Sequence, residues 1–149
     1  MSTYAIYSAD PIIPLRDHLG NRAVIKLERV DPLTADAGSG PSFDPVLSTW
    51  VGGVDGMMVP ITNGFRLLDI PAGTYNLYLY AGESVGNATD FYLSVNSQPY
   101  SLKTATPTGA ATFVENDNYV LFGNLVLSSE SVLDIRVLGF LAGLQLRRQ

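Results

Sequence analysis

The chain contains no cysteine and a single histidine, His18. Disulfides and thiolate metal sites are thereby excluded, as is any site built on several imidazoles. A Ser–His–Asp triad would depend wholly on His18, which sits in the turn-forming run Asp17-His18-Leu19-Gly20-Asn21; a loop-capping or interface role suits it better. Charge is also scarce: 15% of residues are charged, against roughly 25% in an ordinary soluble domain. Such a surface is either rich in Ser, Thr, Asn and Gly or covered by other protein. The net charge of −5 repels a phosphate backbone, so nucleic acid is not an expected partner. No apolar run approaches the ~20 residues that a membrane-crossing helix needs, and no membrane association is expected. The first residues, Met1-Ser2-Thr3-Tyr4-Ala5-Ile6-Tyr7, lack the basic stretch and apolar run of a secretory signal, so synthesis in the cytoplasm is expected. No long segment repeats its apolar residues at helical spacing.

What the chain has is alternation. Tyr75, Leu77 and Leu79 point one way while Asn76, Tyr78 and Tyr80 point the other. Phe91, Leu93 and Val95 oppose Tyr92 and Ser94; Leu133, Ile135 and Val137 oppose Asp134 and Arg136; Leu144 and Leu146 oppose Gln145 and Arg147. Period two with one polar face marks half-buried antiparallel strands. Further strands are expected over residues 4–8, 22–30, 57–62, 65–70, 100–104 and 119–127. They are separated by turn-forming clusters such as Pro71-Ala72-Gly73 and Glu115-Asn116-Asp117-Asn118. Many short strands divided by turns predict a sandwich or barrel. Residues 31–45 read as a long loop. The extended 9–15 segment carries Pro11 and Pro14, which cannot donate to a ladder, so it is an edge strand or an arm laid across a surface. The predicted fold class is all-β: one antiparallel two-sheet β-sandwich over residues 1–149, with an extended N-terminal arm. Residues 1–46 hold the arm, first strands and long loop, and 47–149 hold the core.

Candidate catalytic groups are few. Glycoside hydrolysis needs two carboxyl groups across a cleft, one of them desolvated enough to stay protonated. Glu115 with Asp117, or Asp69 with Asp134, are the available pairs; the first lies in a turn where solvation is expected, and Asp134 alternates with Arg136 on an outward face. The run Gly52-Gly53-Val54-Asp55-Gly56 lacks the lysine and following helix of a phosphate loop. No enzyme activity and no cofactor are expected.

Aromatic residues are the notable surplus, with eight tyrosines and one tryptophan. Tyr78, Tyr80 and Tyr92 lie opposite the aliphatic faces, where they either pack under a loop or form an interaction surface. Trp50 is a core plug or a stacking residue. With Tyr4, Tyr7, Pro11 and Pro14 of the N-terminal segment, these residues make up the candidate interaction surface.

Four stretches in order carry a family resemblance: Ser48-Thr49-Trp50-Val51-Gly52-Gly53, Ile70-Pro71-Ala72-Gly73-Thr74-Tyr75-Asn76-Leu77-Tyr78-Leu79-Tyr80, Phe113-Val114-Glu115-Asn116-Asp117-Asn118-Tyr119-Val120-Leu121-Phe122, and Leu141-Ala142-Gly143-Leu144-Gln145-Leu146. From Leu47 onward the chain resembles a galactose-binding-like jelly roll of the kind found in carbohydrate-binding modules; residues 1–46 have no counterpart. The resemblance implies a two-sheet jelly roll with a taste for surfaces or glycans. It also implies a possible structural calcium, for which Asp44, Asp55, Glu115 and Asp117 would supply oxygens, although no spaced calcium loop is present and structural turn acids are the default reading. Two functions from different classes follow. One is a bacteriophage virion decoration or accessory protein, a homo-oligomer that stabilises capsid or other virion subunits by burying surface, with residues 1–14 leaving the sandwich to reach a neighbouring chain. The other is a carbohydrate-binding module that uses exposed Tyr and Trp.

Overall fold

The computed structural model describes residues 12–16, 21–29, 51–52 and 64–149. The expectations placed on Tyr4, Tyr7, Pro11, His18, Asp44, Trp50 and Asp55, on the strands at 4–8 and 57–62, and on the loop at 31–45 lie outside the described residues.

Ten strands run in the order β1 (Ile12–Arg16), β2 (Arg22–Arg29), β3 (Val51–Gly52), β4 (Gly64–Leu68), β5 (Gly73–Ala81), β6 (Thr89–Val95), β7 (Ser101–Ala105), β8 (Tyr119–Leu127), β9 (Leu133–Leu138) and β10 (Phe140–Arg148). They form a six-stranded sheet, β1-β2-β4-β9-β6-β7, and a four-stranded sheet, β3-β10-β5-β8. Every pairing between them is antiparallel. The expected all-β, two-sheet antiparallel architecture is what the chain adopts, and the described residues contain no helix.

One part of the arm expectation is corrected. Residues 12–14 do not leave the sandwich: Ile12, Ile13 and Pro14 pair with Glu28, Leu27 and Lys26 of β2. β1 is an edge strand, and the ladder shifts register between Pro14 and Arg16. Proline is tolerated there because an edge strand has one row of backbone groups with no ladder partner, so a missing N–H need break no bond. β2 continues through β4 into the body of the sheet, so the first part of the chain is built into the larger sheet.

The core follows from the alternation. Leu27, Phe65, Leu67, Phe91, Leu93, Leu133, Ile135 and Val137 of the larger sheet share one buried cluster with Tyr75, Leu77, Leu79, Val120, Phe122, Leu141 and Leu144 of the smaller. Two inner faces interdigitating in this way define a sandwich. The Tyr75 hydroxyl, carried inward, donates to the Pro71 carbonyl at 2.7 Å, which satisfies the one polar atom it brings into the core. Corners carry the backbone conformations that turn residues permit. Asp69 has φ of 55° where the chain leaves β4 for the other sheet, and Gly139 has φ of 121° between β9 and β10. A Cβ at Gly139 would meet Thr89 Oγ1 at 2.6 Å, so that turn needs glycine for both conformation and space.

Candidate functional site

β5 runs between β10 and β8, so its outward side chains meet neighbours on both sides. Tyr80 lies opposite Gly143 and Tyr119, Tyr78 opposite Gln145 and Leu121, and Asn76 opposite Arg147. Glycine on one flank of Tyr80 leaves room for rings to spread along the sheet. Tyr78 and Tyr119 have ring centroids 5.9 Å apart, tilted by 48°, and Tyr80 and Tyr119 lie at 5.9 Å and 46°. The β7–β8 loop adds Phe113, whose ring lies edge-on to Tyr80 at 5.1 Å and to Tyr119 at 6.4 Å. These separations and tilts are the favoured aromatic arrangements.

That loop is held by its own polar side chains. Asn118 Oδ1 accepts from the Val114 N–H at 2.9 Å, and its Nδ2 donates to the Thr112 carbonyl at 2.7 Å. The Asn118 carbonyl accepts from the Ala81 N–H at 2.8 Å, which ties the loop to the end of β5. Asp117 accepts from the backbone N–H and the hydroxyl of Thr108. The expectation of a solvated Asp117 is thus corrected: the carboxylate is buried, serving as the loop's internal acceptor, while Glu115 remains exposed.

The loop decides the fate of the predicted tyrosines. Tyr80 is only 5% exposed and packs against Ala142 and Phe113, with its hydroxyl donating to Gln145 Oε1 at 3.2 Å. It supports the surface from below. Tyr78 and Tyr119 are half-buried, and Phe113 and Val114 are exposed. The Tyr119 phenol is pushed above its ordinary pKa, first by burial and then by the charge of Glu115 and the neighbouring Tyr78; it remains a neutral donor at physiological pH. Next to the rings lies a row of amides. Gln149 Nε2 donates to Asn76 Oδ1 at 2.7 Å and to Asn124 Oδ1 at 3.0 Å, and the Asn124 N–H also reaches Asn76 Oδ1 at 3.0 Å. Val126, 79% exposed, lies opposite Thr74 near the far end of β5.

The outer face of the larger sheet is different in kind. Tyr92 is half-buried between Arg136 and Leu102 in the register. Arg136, 9% exposed, grips Asp134 through Nε to Oδ1 at 2.7 Å and Nη2 to Oδ2 at 3.2 Å. Arg66 approaches Asp134 at 3.6 Å and Glu28 at 3.7 Å. An open groove of 380 Å³ lies between these charges and the Asn96-Ser97 turn. Burial alone would raise the Asp134 pKa. The Arg136 hydrogen bond and charge, the Tyr100 hydrogen bond and the charge of Arg66 outweigh it, so the carboxyl sits below the ordinary carboxylate range. A general acid needs the opposite shift. The other proposed partner, Asp69, is bound to Lys26 at 2.9 Å. Each of these two carboxylates thus faces a cation, Asp69 with Lys26 and Asp134 with Arg136. Among the described residues no group of three His, Cys, Asp or Glu side chains comes together.

A carboxyl with a depressed folded pKa stabilises the native state in full above its unfolded value, about pH 4, and ceases to do so as pH falls through the lower folded value. Asp134→Asn is therefore expected to lower the melting temperature at neutral pH and to reduce its fall between about pH 4 and pH 2. Thermal melts across that range check it; parallel curves for both proteins would contradict the assignment.

The fold and site define a class: a two-sheet antiparallel β-sandwich whose smaller sheet presents a loop-buttressed aromatic face. No protein-family model, no curated protein and no solved structure matches the chain.

Of the sequence candidates, the structure brings Tyr78 and Tyr80 together and places Tyr92 on the other sheet. Pro14 lies in edge strand β1. Phe113, Tyr119 and Gln145 belong to the aromatic face and were not singled out. Tyr119 was signalled, since it and Leu121 alternate with Val120 and Phe122 as Tyr78 does with its neighbours. Phe113 stands in a loop, where no periodicity points to a face.

Proposed function

We propose that the chain is a non-catalytic interaction protein built on a galactose-binding-like jelly roll, working as a decoration or accessory protein of a bacteriophage virion. It stabilises an assembly by burying its surface against capsid or other virion subunits. The chain crosses from one sheet to the other at each step from β2 to β6 and again from β7 to β10, the weaving that a double Greek key requires and the support for the jelly-roll reading. The observation that carries the functional reading is the outer face around Tyr78, Tyr119 and Phe113. Rigid aromatic anchors with a row of neutral amides beside them are the composition of a docking surface's centre, where charged residues are depleted.

Immunogold electron microscopy of phage particles produced from the encoding genome tests it. Label on purified particles, lost in a Tyr78→Ala/Tyr119→Ala double variant that still folds, is the expected result. Particles without label in the parent would overturn it.

A second reading has its own observation. The tilted Tyr78 and Tyr119 rings beside the Gln145 amide suit a sugar, whose apolar ring face stacks while its hydroxyls bond. A glycan array is expected to give signal that Tyr78→Ala lowers by about tenfold, since losing one aromatic anchor costs more than 1 kcal/mol. A blank array removes this reading.

A further inference from the structure

We propose that two copies of this chain associate face to face through the outer side of the four-stranded sheet, about a two-fold axis passing Tyr78, with Glu115 of each copy opposite Arg147 of the other. The proposal rests on reading this face as an interaction surface and adds its occupant. Tyr78 stands at the middle of the face, one row from Tyr80 with Tyr119 and one row from Asn76 with Arg147. Glu115 lies beyond the Tyr119 end, in a one-residue bridge with Tyr119 and close enough to act electrostatically on its phenol. Arg147 lies at the other end, on the opposite flank of β5, across four residues or about 13 Å of strand.

Both charges are exposed, and neither has an ion-pair partner among the described residues. The pattern is an acid at one end, neutral aromatic and amide groups in the centre, and a base at the other end. A two-fold axis lying in the plane of the contact, perpendicular to the line from Glu115 to Arg147, exchanges the ends, so the face becomes its own complement, with two ion pairs flanking a ring-lined centre. A partner of unrelated shape has no reason to need this exchange symmetry. The nine residues of β5 span about 30 Å and its two flanking strands make the face about 15 Å wide, roughly 450 Å² per copy or 900 Å² in all. That lies below the size of permanent interfaces, so the dimer is expected to be reversible, with a Kd in the micromolar range.

The test is sedimentation velocity on the full chain across the micromolar range, with circular dichroism and thermal melts to verify folding. Glu115→Arg and Arg147→Glu are each expected to weaken dimerisation at least about tenfold, since each opposes like charges twice per dimer. The double variant, which restores opposite charges, is expected to recover the parent Kd to within about threefold. Tyr78→Ala is expected to yield monomer. A parent that stays monomeric throughout, or a double variant no better than the singles, overturns the proposal. Should the chain be monomeric while Tyr78→Ala/Tyr119→Ala still abolishes particle labelling, the dimer fails and the surface reading stands. Should the charge swap rescue dimerisation while parent particles carry no label, the dimer stands and the virion reading fails.

Discussion

Phe91→Ala is expected to destabilise the fold by about 3–5 kcal/mol, the cost of emptying an aromatic site in a close-packed interior. Phe91 is wholly buried at the inner face of β6, opposite Val137 of β9 on one side and Lys103 of β7 on the other. It belongs to the cluster that joins both sheets, so its loss opens a cavity between them. The surrounding β-sheets cannot collapse into that space without breaking register, which argues for the upper part of the range. For a chain of this length each kcal/mol lowers Tm by about 2–4 °C, so a fall on the order of 10 °C or more is expected. Calorimetric or circular-dichroism melts measure it; a change of only a degree or two would show that Phe91 is not a core residue. The same replacement at Tyr92, the next residue, removes a half-buried outward ring and should cost far less.

Gly64→Ala is expected to be the most damaging single methyl group. A Cβ there would lie 2.1 Å from the Ile135 carbonyl oxygen and 2.5 Å from Arg136 Cδ. The first of these atoms is backbone in the middle of the larger sheet, so relief requires β4 and β9 to separate. Overpacking typically costs about 1–3 kcal/mol and more where backbone must move, which places this change at or above the top of that range. The displacement would also draw Arg66 away from Asp134, because Arg66 and Asp134 are register partners in the same ladder. Gly123→Ala provides the contrast: a Cβ there meets only Asn76 Oδ1, at an ordinary 3.4 Å, so an effect within about 0.5 kcal/mol is expected. Chemical denaturation of the two variants side by side checks the pair; equal stabilities would overturn the steric account.

The inward faces of β5, β6, β9 and β10 were legible because a pleated strand sends successive side chains to opposite sides. Leu77, Leu79, Phe91, Leu133, Ile135 and Leu144 are all buried, as their alternation requires. Turn positions at 71–73 and 115–118 were legible from Pro, Gly, Asn and Asp, which supply the backbone conformations those corners use. Two outward residues were not legible as they stand. Arg136 alternates as a surface residue yet is buried, because the Asp134 carboxylate two residues away folds its guanidinium down onto the sheet. Tyr80 alternates as a surface residue yet lies beneath Phe113 and Ala142, the latter placed outward by a register shift between Leu141 and Gly143.

Taken alone, the amino-acid order determined that the chain makes strands and not helices, which side of each strand is apolar, and that any catalytic or metal chemistry would have to proceed with one histidine and no thiol. Tertiary structure decided which outward residues remain open to a partner. The reason is physical: period two encodes a direction relative to the strand's own plane, whereas cover depends on which distant segment comes to lie on that plane. The β7–β8 loop reaches Tyr80 across more than thirty residues of chain, held there by Asn118 and Asp117, and it leaves Tyr78 and Tyr119 half-buried beside an exposed Phe113.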